Sequence, residues 1–341
     1  MGALTDPREA RLLNEFQRGF PVVRAPYAVI AQRLGVDEGW VRATLASALA
    51  DGRVSRIGAV FRPGSVGVST LAALPVPQPQ LARVAARVSA RQEVNHNYER
   101  EHRYNLWFVV TAADQHALAD VLDGIADDAG SAPISLPLLT EYWIDLGFDL
   151  GGGHAGDAIG RPRHGDAGGR RPVPALTDAD RRLVDALADG LPTVPAPYAV
   201  IADKAGVSEA CALARIGDWL ELGVVKRLGV VVRHRALGFT ANAMCVWDVP
   251  DGDADALGAA LAREPGVTLC YRRRRALPDW RYNLFCMVHG TDRPTVEARV
   301  AQLAAANGLD DCPSAVLFSR RAFKQCGARY ALASTAARVT G

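Results

Sequence analysis

Two short stretches hold most of the residues able to do chemistry, "EVNHNYERE" (93–101) and "TLCYRRRR" (268–275). If both are strands, side chains alternate between faces. His96, Tyr98 and Arg100 then share one face, with Asn95, Asn97 and Glu99 behind. In the second stretch Tyr271, Arg273 and Arg275 share a face, with Arg272 and Arg274 opposite. Each stretch places an Arg two residues after a Tyr, and only the first adds a His two residues before it. An imidazole that titrates near neutral pH can donate a proton or ligate iron. Guanidinium groups stay charged and grip carboxylates bidentately, which suits a polycarboxylate ligand. Nearby Tyr104, Trp107, Phe108, Tyr282 and Phe285 add flat aromatic surface. Taken singly these residues have plainer readings: a solvated basic hairpin end, a hydrogen-bonded structural histidine, aromatics packing a sheet. Together they fit a large, planar, multiply carboxylated ligand.

The two stretches correspond because the chain is a duplicate of itself. "FPVVRAPYAVIAQRLGV" (20–36) and "LPTVPAPYAVIADKAGV" (191–207) agree at eleven of seventeen positions. "DGRVSRIGAVFR" (51–62) matches "LGVVKRLGVVVR" (222–233), Tyr98 matches Tyr271, and "YNLWFVV" (104–110) matches "YNLFCMV" (282–288). Between the copies, "GGGHAGDAIGRPRHGDAGGRRP" (151–172) has eight glycines and no apolar periodicity, and reads as a flexible linker. Its His154 and His164 read as solvated rather than metal-bound.

Each copy divides again. "DPREARLLNEF" after a Thr5 or Asp6 cap, "APYAVIAQRLG" ending at Gly35 and "DEGWVRATLASALADG" ending at Gly52 read as three helices. "VSRIGAVF" after them supplies a wing, so the unit is a winged helix-turn-helix. A strand near 66–75, helix 78–91, strands 92–99 and 103–112, helix 114–129 and strand 133–143 follow, and copy two repeats the order from about 238 to 323. That is the βαββαβ order of a ferredoxin-like plait. The expected fold class is α+β, a tandem repeat with units at 1–64, 65–148, a linker at 149–172, then 173–235 and 236–341.

With 49% hydrophobic and 22% charged residues the chain is an ordinary globular composition, and its net charge of +2 gives little basic excess for phosphate binding. No run of about eighteen apolar residues predicts a membrane span, and the opening "MGALTDPREARLLNEF" lacks the apolar core of a signal peptide. All six cysteines lie in the second half without a C-x-x-C pair, which fits reduced thiols in the cytoplasm. The third helix of copy one opens with Asp37, Glu38, Gly39 and Trp40, and that of copy two with Ser208, Glu209, Ala210, Cys211 and Ala212. Acids and small apolar groups there repel phosphate and read no base edge, so DNA is an unfavoured partner.

The tandem arrangement resembles the Lrp/AsnC architecture. The strings "FPVVRAPYAVIAQRLG", "RIGAVF", "HNYEREHRYNLWFV" and "YRRRRALPDWRYNLFCMVHG" resemble the sirohaem decarboxylases, over the whole chain except the linker. Members often occur as two different partner chains; here copy one is similar to the His-bearing type and copy two to the Arg-rich type. The resemblance implies a carboxy-lyase that converts sirohaem to didecarboxysirohaem and carbon dioxide, in d1 haem formation or the alternative haem route. It implies His96 as proton donor, with Tyr98 or Tyr271 assisting, or His96 as axial ligand of the substrate iron. Arg100, Arg272, Arg273, Arg274 and Arg275 become candidates for acetates and propionates, with Arg100, Arg273 and Arg275 favoured by the alternation. Tyr104, Trp107 and Tyr282 become candidate ring contacts, and His289 and Lys324 secondary ones. No pyridoxal, thiamin or metal motif is present, so no cofactor beyond the iron tetrapyrrole is implied; a bound haem is compatible with the same site. The two halves are expected to cover each other's sheets within one chain, with two pockets of unequal competence because Leu269 stands where copy one has His96. A homodimer or further pathway proteins stay open as partners. The rival readings are a transcription regulator of the Lrp/AsnC type and a non-catalytic tetrapyrrole carrier.

Overall fold

The computed structural model describes residues 6–144, 175–233 and 238–330. The glycine-rich segment 151–172 with His154 and His164, the boundary at 148–149, and Thr5 lie outside the described residues.

Copy one opens with α1 (Pro7–Glu15), α2 (Pro26–Leu34) and α3 (Glu38–Ala50). Asp6 caps α1 by accepting from the Arg8 amide, Gly35 ends α2 in the left-handed region at φ 68°, and Asp37 caps α3. The wing strand β1 (Val54–Phe61) leads into β2 (Val68–Leu74), α4 (Gln78–Ala90), β3 (Val94–Arg100), β4 (Leu106–Ala112), α5 (Gln115–Ala129) and β5 (Ile134–Ile144). Copy two repeats the order with α6 (Asp178–Ala188), α7 (Pro197–Ala205), α8 (Glu209–Glu221), β6 (Val225–Val232), β7 (Ala241–Trp247), α9 (Ala254–Leu261), β8 (Val267–Arg273), β9 (Leu284–Gly290), α10 (Arg293–Ala306) and β10 (Ser314–Gln325).

The copies are interleaved. Leu12, Tyr27, Ile30 and Leu45 share one core with Leu183, Tyr198, Ile216 and Trp219. The Tyr27 hydroxyl donates to the Pro192 carbonyl at 2.8 Å, and Tyr198 donates reciprocally to Pro21 at 2.8 Å. The sequence predicts a separate wing in each copy; instead β1 pairs antiparallel with β6, Gly58 facing Gly229. A lone apolar strand cannot leave its ladder groups unpaired, and its best partner is its own duplicate. Gly229 is needed there, because a Cβ would lie 2.2 Å from the Gln17 carbonyl oxygen.

The eight plait strands close into a barrel in the order β10-β3-β4-β2-β5-β8-β9-β7. Closure depends on the two longest strands. β5 pairs with β2 through 134–137 and then with β8, and β10 pairs with β7 through 314–318 and then with β3. Helices cover the outside, burying Leu81, Val84 and Ile125 in copy one and Leu261, Val296 and Leu303 in copy two. The inside is filled by Leu71, Trp107, Leu136, Met244, Phe285 and Leu317.

The third-helix arginines are occupied within the domains. Arg42 bonds Glu38 at 3.1 Å, and Arg215 grips buried Asp180 at 2.6 and 2.8 Å with its guanidinium against Trp219. Among the described residues no helix is long and apolar enough to cross a membrane, and all six cysteines are free.

Candidate functional site

Strand β3 is aimed by what lies on its back. Val94 packs into the core under the helices, and the Asn97 amide donates to Ala85 O at 3.1 Å and Ser89 Oγ at 3.0 Å on α4. Alternation therefore turns His96, Tyr98 and Arg100 away from α4, to the inner face of the sheet. A bulge between Val94 and His96 adjusts the register just before the histidine. The His96 and Tyr98 rings stack at 6.1 Å, and the Arg100 guanidinium lies 5.7 Å from the Tyr98 ring centre. Arg100 Nη1 donates to the Leu317 carbonyl at 3.0 Å, a residue of the other copy.

Copy two repeats this design. Tyr271 stacks on Phe285 at 5.8 Å, Arg273 covers the Tyr271 ring at 4.6 Å, and Arg273 Nη1 donates to the Leu136 carbonyl of copy one at 2.7 Å. Burial lowers the Arg273 pKa, and Tyr271 partly opposes that. Each Tyr–Arg pair is thus completed by the long strand of the opposite copy.

The remaining arginines of the run do not converge on a ligand face. Strand β8 ends at Arg273, so the alternation does not extend to Arg275. Arg275 is held by Asp248 at 2.8 Å and Asp251 at 2.7 Å, and Arg272 by Asp251 at 2.8 Å. Arg274 is exposed, its amide bonded to Pro137 O at 3.0 Å. The expectation that copy-two arginines meet the copy-one imidazole is also not realised. Along the register row His96–Val109–Leu71–Leu136, the carbonyl that Arg273 holds is three strand spacings from His96, about 14 Å along the sheet.

Other expected contacts are committed elsewhere. Trp107 and Tyr282 each meet Trp280 at 5.0 Å, and Tyr104 meets it at 6.1 Å, all edge-to-face around that one indole. His289 Nδ1 bonds Asn242 Oδ1, and Lys324 Nζ donates to the Arg91 carbonyl at 2.7 Å. A cavity of about 350 Å³ opens beside α10, lined by residues including Trp247, Arg293, Glu297 and Phe318, and no expected site residue lines it.

His96 lies where the barrel rim meets the winged core. Its register partner on β10 is Gln325, and the next residue, Cys326, donates its amide to Asn95 O at 2.9 Å. The chain then crosses toward the winged units: Thr111 Oγ1 of β4 donates to Arg329 O at 2.6 Å, and Tyr330 is buried against Phe61 of β1. The guanidinium acting on His96 is Arg56 of β1, from copy one's own wing. Burial first, and the Arg56 charge second, push the His96 pKa down to about 4. The imidazole is therefore neutral at neutral pH. With Asn95 Oδ1 accepting from Nδ1 at 2.6 Å, the Nε2 lone pair is left to take a proton or bind a metal. In copy two Leu269 replaces His96, and Lys226 of the wing is ion-paired with Glu141 of β5. Arg56 was within reach of sequence reasoning: a single arginine stands in the otherwise apolar "RIGAVF", matched by Arg227 in copy two.

The low His96 pKa has a measurable consequence. The unfolded imidazole takes its proton near pH 6.5, but the folded one not until about pH 4. The folded state binds fewer protons across that window, so stability falls as pH drops through it. Relative to His96→Leu, the wild type should lose about 2 kcal/mol between pH 7 and about pH 5. Denaturant unfolding of both at the two pH values checks this; an unchanged gap would mean the imidazole protonates normally.

Known proteins agree with this architecture. A family model described as "AsnC-like ligand binding domain" matches 65–142 and 236–324, and "Siroheme decarboxylase NirDL-like HTH domain" matches 9–54 and 180–225. The "Siroheme decarboxylase NirDL subunit" of Paracoccus denitrificans is 44% identical over 326 residues, covering 96% of this chain and 98% of that one. The chain belongs to the sirohaem decarboxylase family. Single-unit relatives match about half of it: the "Siroheme decarboxylase NirD subunit" of Pseudomonas aeruginosa is 50% identical over 42% of this chain and 97% of its own length. A crystal structure of the siroheme decarboxylase NirDL superposes with a TM-score of 0.67 at 27% identity, covering 95% of this chain and 94% of that one. A second, in complex with an iron-uroporphyrin III analogue, gives 0.66 at 27% identity, covering 95% and 93%. The decarboxylase family thus accounts for both winged units and both plaits together.

Proposed function

We propose that this chain is a carboxy-lyase that removes the carboxyl groups of two pyrrole acetates of sirohaem, and that His96 at the barrel rim manages the proton. The observation that carries the reading is the match to the "Siroheme decarboxylase NirDL subunit", which spans 98% of that relative and includes both copies. The geometry is compatible with the chemistry. The barrel interior is packed, so a tetrapyrrole reaches His96 from the rim and not through the barrel.

In each decarboxylation the bond between the acetate CH2 and its carboxylate breaks. Carbon dioxide leaves, the electron pair passes into the conjugated ring, and a proton adds to the exocyclic carbon to give a methyl group. The substrate ring is the electron sink, so the protein supplies orientation, desolvation and the proton. His96 is neutral in the free protein, so it must first gain a proton. Substrate carboxylates beside it favour the charged form and move its pKa upward. Nε2 then delivers the proton to the carbon. Tyr98 and Arg100 fix the ring plane of His96 and its strand. Copy two, with leucine at the corresponding place, supplies the second half of the barrel and no equivalent proton carrier. Six cysteines without a C-x-x-C pair support a cytoplasmic setting on this reading.

Anaerobic incubation with sirohaem, followed by mass spectrometry, tests the activity. Loss of two carbon dioxide units per macrocycle is expected. A stable protein–sirohaem complex of unchanged mass would make the chain a carrier instead.

A further inference from the structure

The wing brings a guanidinium to the His96 rim without bringing an acid. Among the described residues Arg56 Nε is buried and meets no acceptor, and the one bond to Nη2 is to the Ala59 carbonyl at 3.4 Å. Among the described residues no carboxylate pairs with it, whereas Arg272 and Arg275 share Asp251. Its side chain lies against two glycines. A Cβ on Gly190 would lie 3.0 Å from Arg56 Cβ, and one on Gly58 would lie 3.1 Å from Nε. The group therefore packs over the wing and is not a fully exposed arginine. It sits within electrostatic reach of both His96 and Cys326, and Cys326 is bonded to Asn95, whose side chain holds His96.

We propose that Arg56 is a positioning residue that binds a substrate carboxylate beside His96 and so presents the reacting pyrrole acetate to the imidazole. A half-buried guanidinium without an anion is costly to keep, and a ligand carboxylate supplies the missing partner. The carboxylate it holds is a neighbour of the one that departs. Pairing with the departing group would stabilise the charge that must vanish as carbon dioxide forms. The role also gives the wing a use in a chain whose third-helix arginines are occupied within their own domains. It rests on the sirohaem reading above.

The test compares Arg56→Gln and Arg56→Lys with wild type in three measurements: spectral titration with iron uroporphyrin, sirohaem turnover and thermal unfolding. Arg56→Gln should bind iron uroporphyrin about tenfold more weakly, one charge-assisted contact, and turn over more slowly at saturation. Arg56→Lys should recover affinity to within about threefold, since it keeps the charge without the fork. Arg56→Gln should also unfold at or above the wild-type temperature, because an uncompensated, partly buried charge has gone. Unchanged affinity in Arg56→Gln overturns the proposal. So does equal loss in both variants with a lowered unfolding temperature, or failure of Arg56→Gln to fold, since each marks a structural role. If wild type itself neither binds iron uroporphyrin nor releases carbon dioxide from sirohaem, the family-based reading fails instead.

Discussion

His96→Ala slows carbon dioxide release by about 10²- to 10⁴-fold, the range for a lost proton-transfer group, while the protein stays folded and still takes up its iron tetrapyrrole. The expectation follows from where the ring sits. It is partly buried on a strand whose back is tied to α4 through Asn97, with one nitrogen committed to Asn95 Oδ1 and the other unengaged by Asn95. Removing it leaves the Tyr–Arg pairs and the barrel untouched. His96→Leu copies the residue that copy two carries at Leu269, so a similar fall in rate there would also support the expectation of two pockets of unequal competence. Single-turnover kinetics with sirohaem separate the outcomes. Slow turnover with near-normal affinity marks a proton carrier. Parallel loss of affinity, with a changed iron spectrum, marks an axial ligand, and an unchanged rate removes His96 from the mechanism.

The second large effect concerns the two copies. Expressed separately, 1–148 and 173–341 should each lack activity and associate with themselves or aggregate; mixed, they should form a one-to-one complex with most of the activity restored. The reason is strand exchange. The second half of β5 finds its partner β8 only in the other copy, and the second half of β10 finds β3. The wings β1 and β6 pair only with each other. A single half exposes all of these edges together with the apolar inner face that buries Trp107, Leu136 and Met244. Exposed edges and an apolar sheet face drive association. Light scattering and turnover of each half and of the mixture decide the matter. A monomeric, active half would show that the exchanged strands are dispensable.

Much of this was legible in the chain itself. Duplication was visible in the aligned "APYAVIA" strings, and the βαββαβ order followed from apolar periodicity and from turn and cap residues. Even the inward face of His96, Tyr98 and Arg100 could be read, because strand alternation is a local property and the bulge before His96 does not disturb the residues after it. The arginine run misled for the complementary reason. Alternation says which side a residue faces only while the strand lasts, and β8 stops at Arg273.

What the sequence by itself determined is therefore local and internal to each copy: the fold class, the family and the spacing of His96, Tyr98 and Arg100. Tertiary structure alone decided which charges are satisfied and which copy completes which sheet. Asp248 and Asp251 neutralise Arg275 across more than twenty residues of chain, and Arg56 of the wing comes within electrostatic reach of His96 on the barrel only through the fold. Electrostatic neighbours are set by distance in space, to which spacing along the chain is nearly blind.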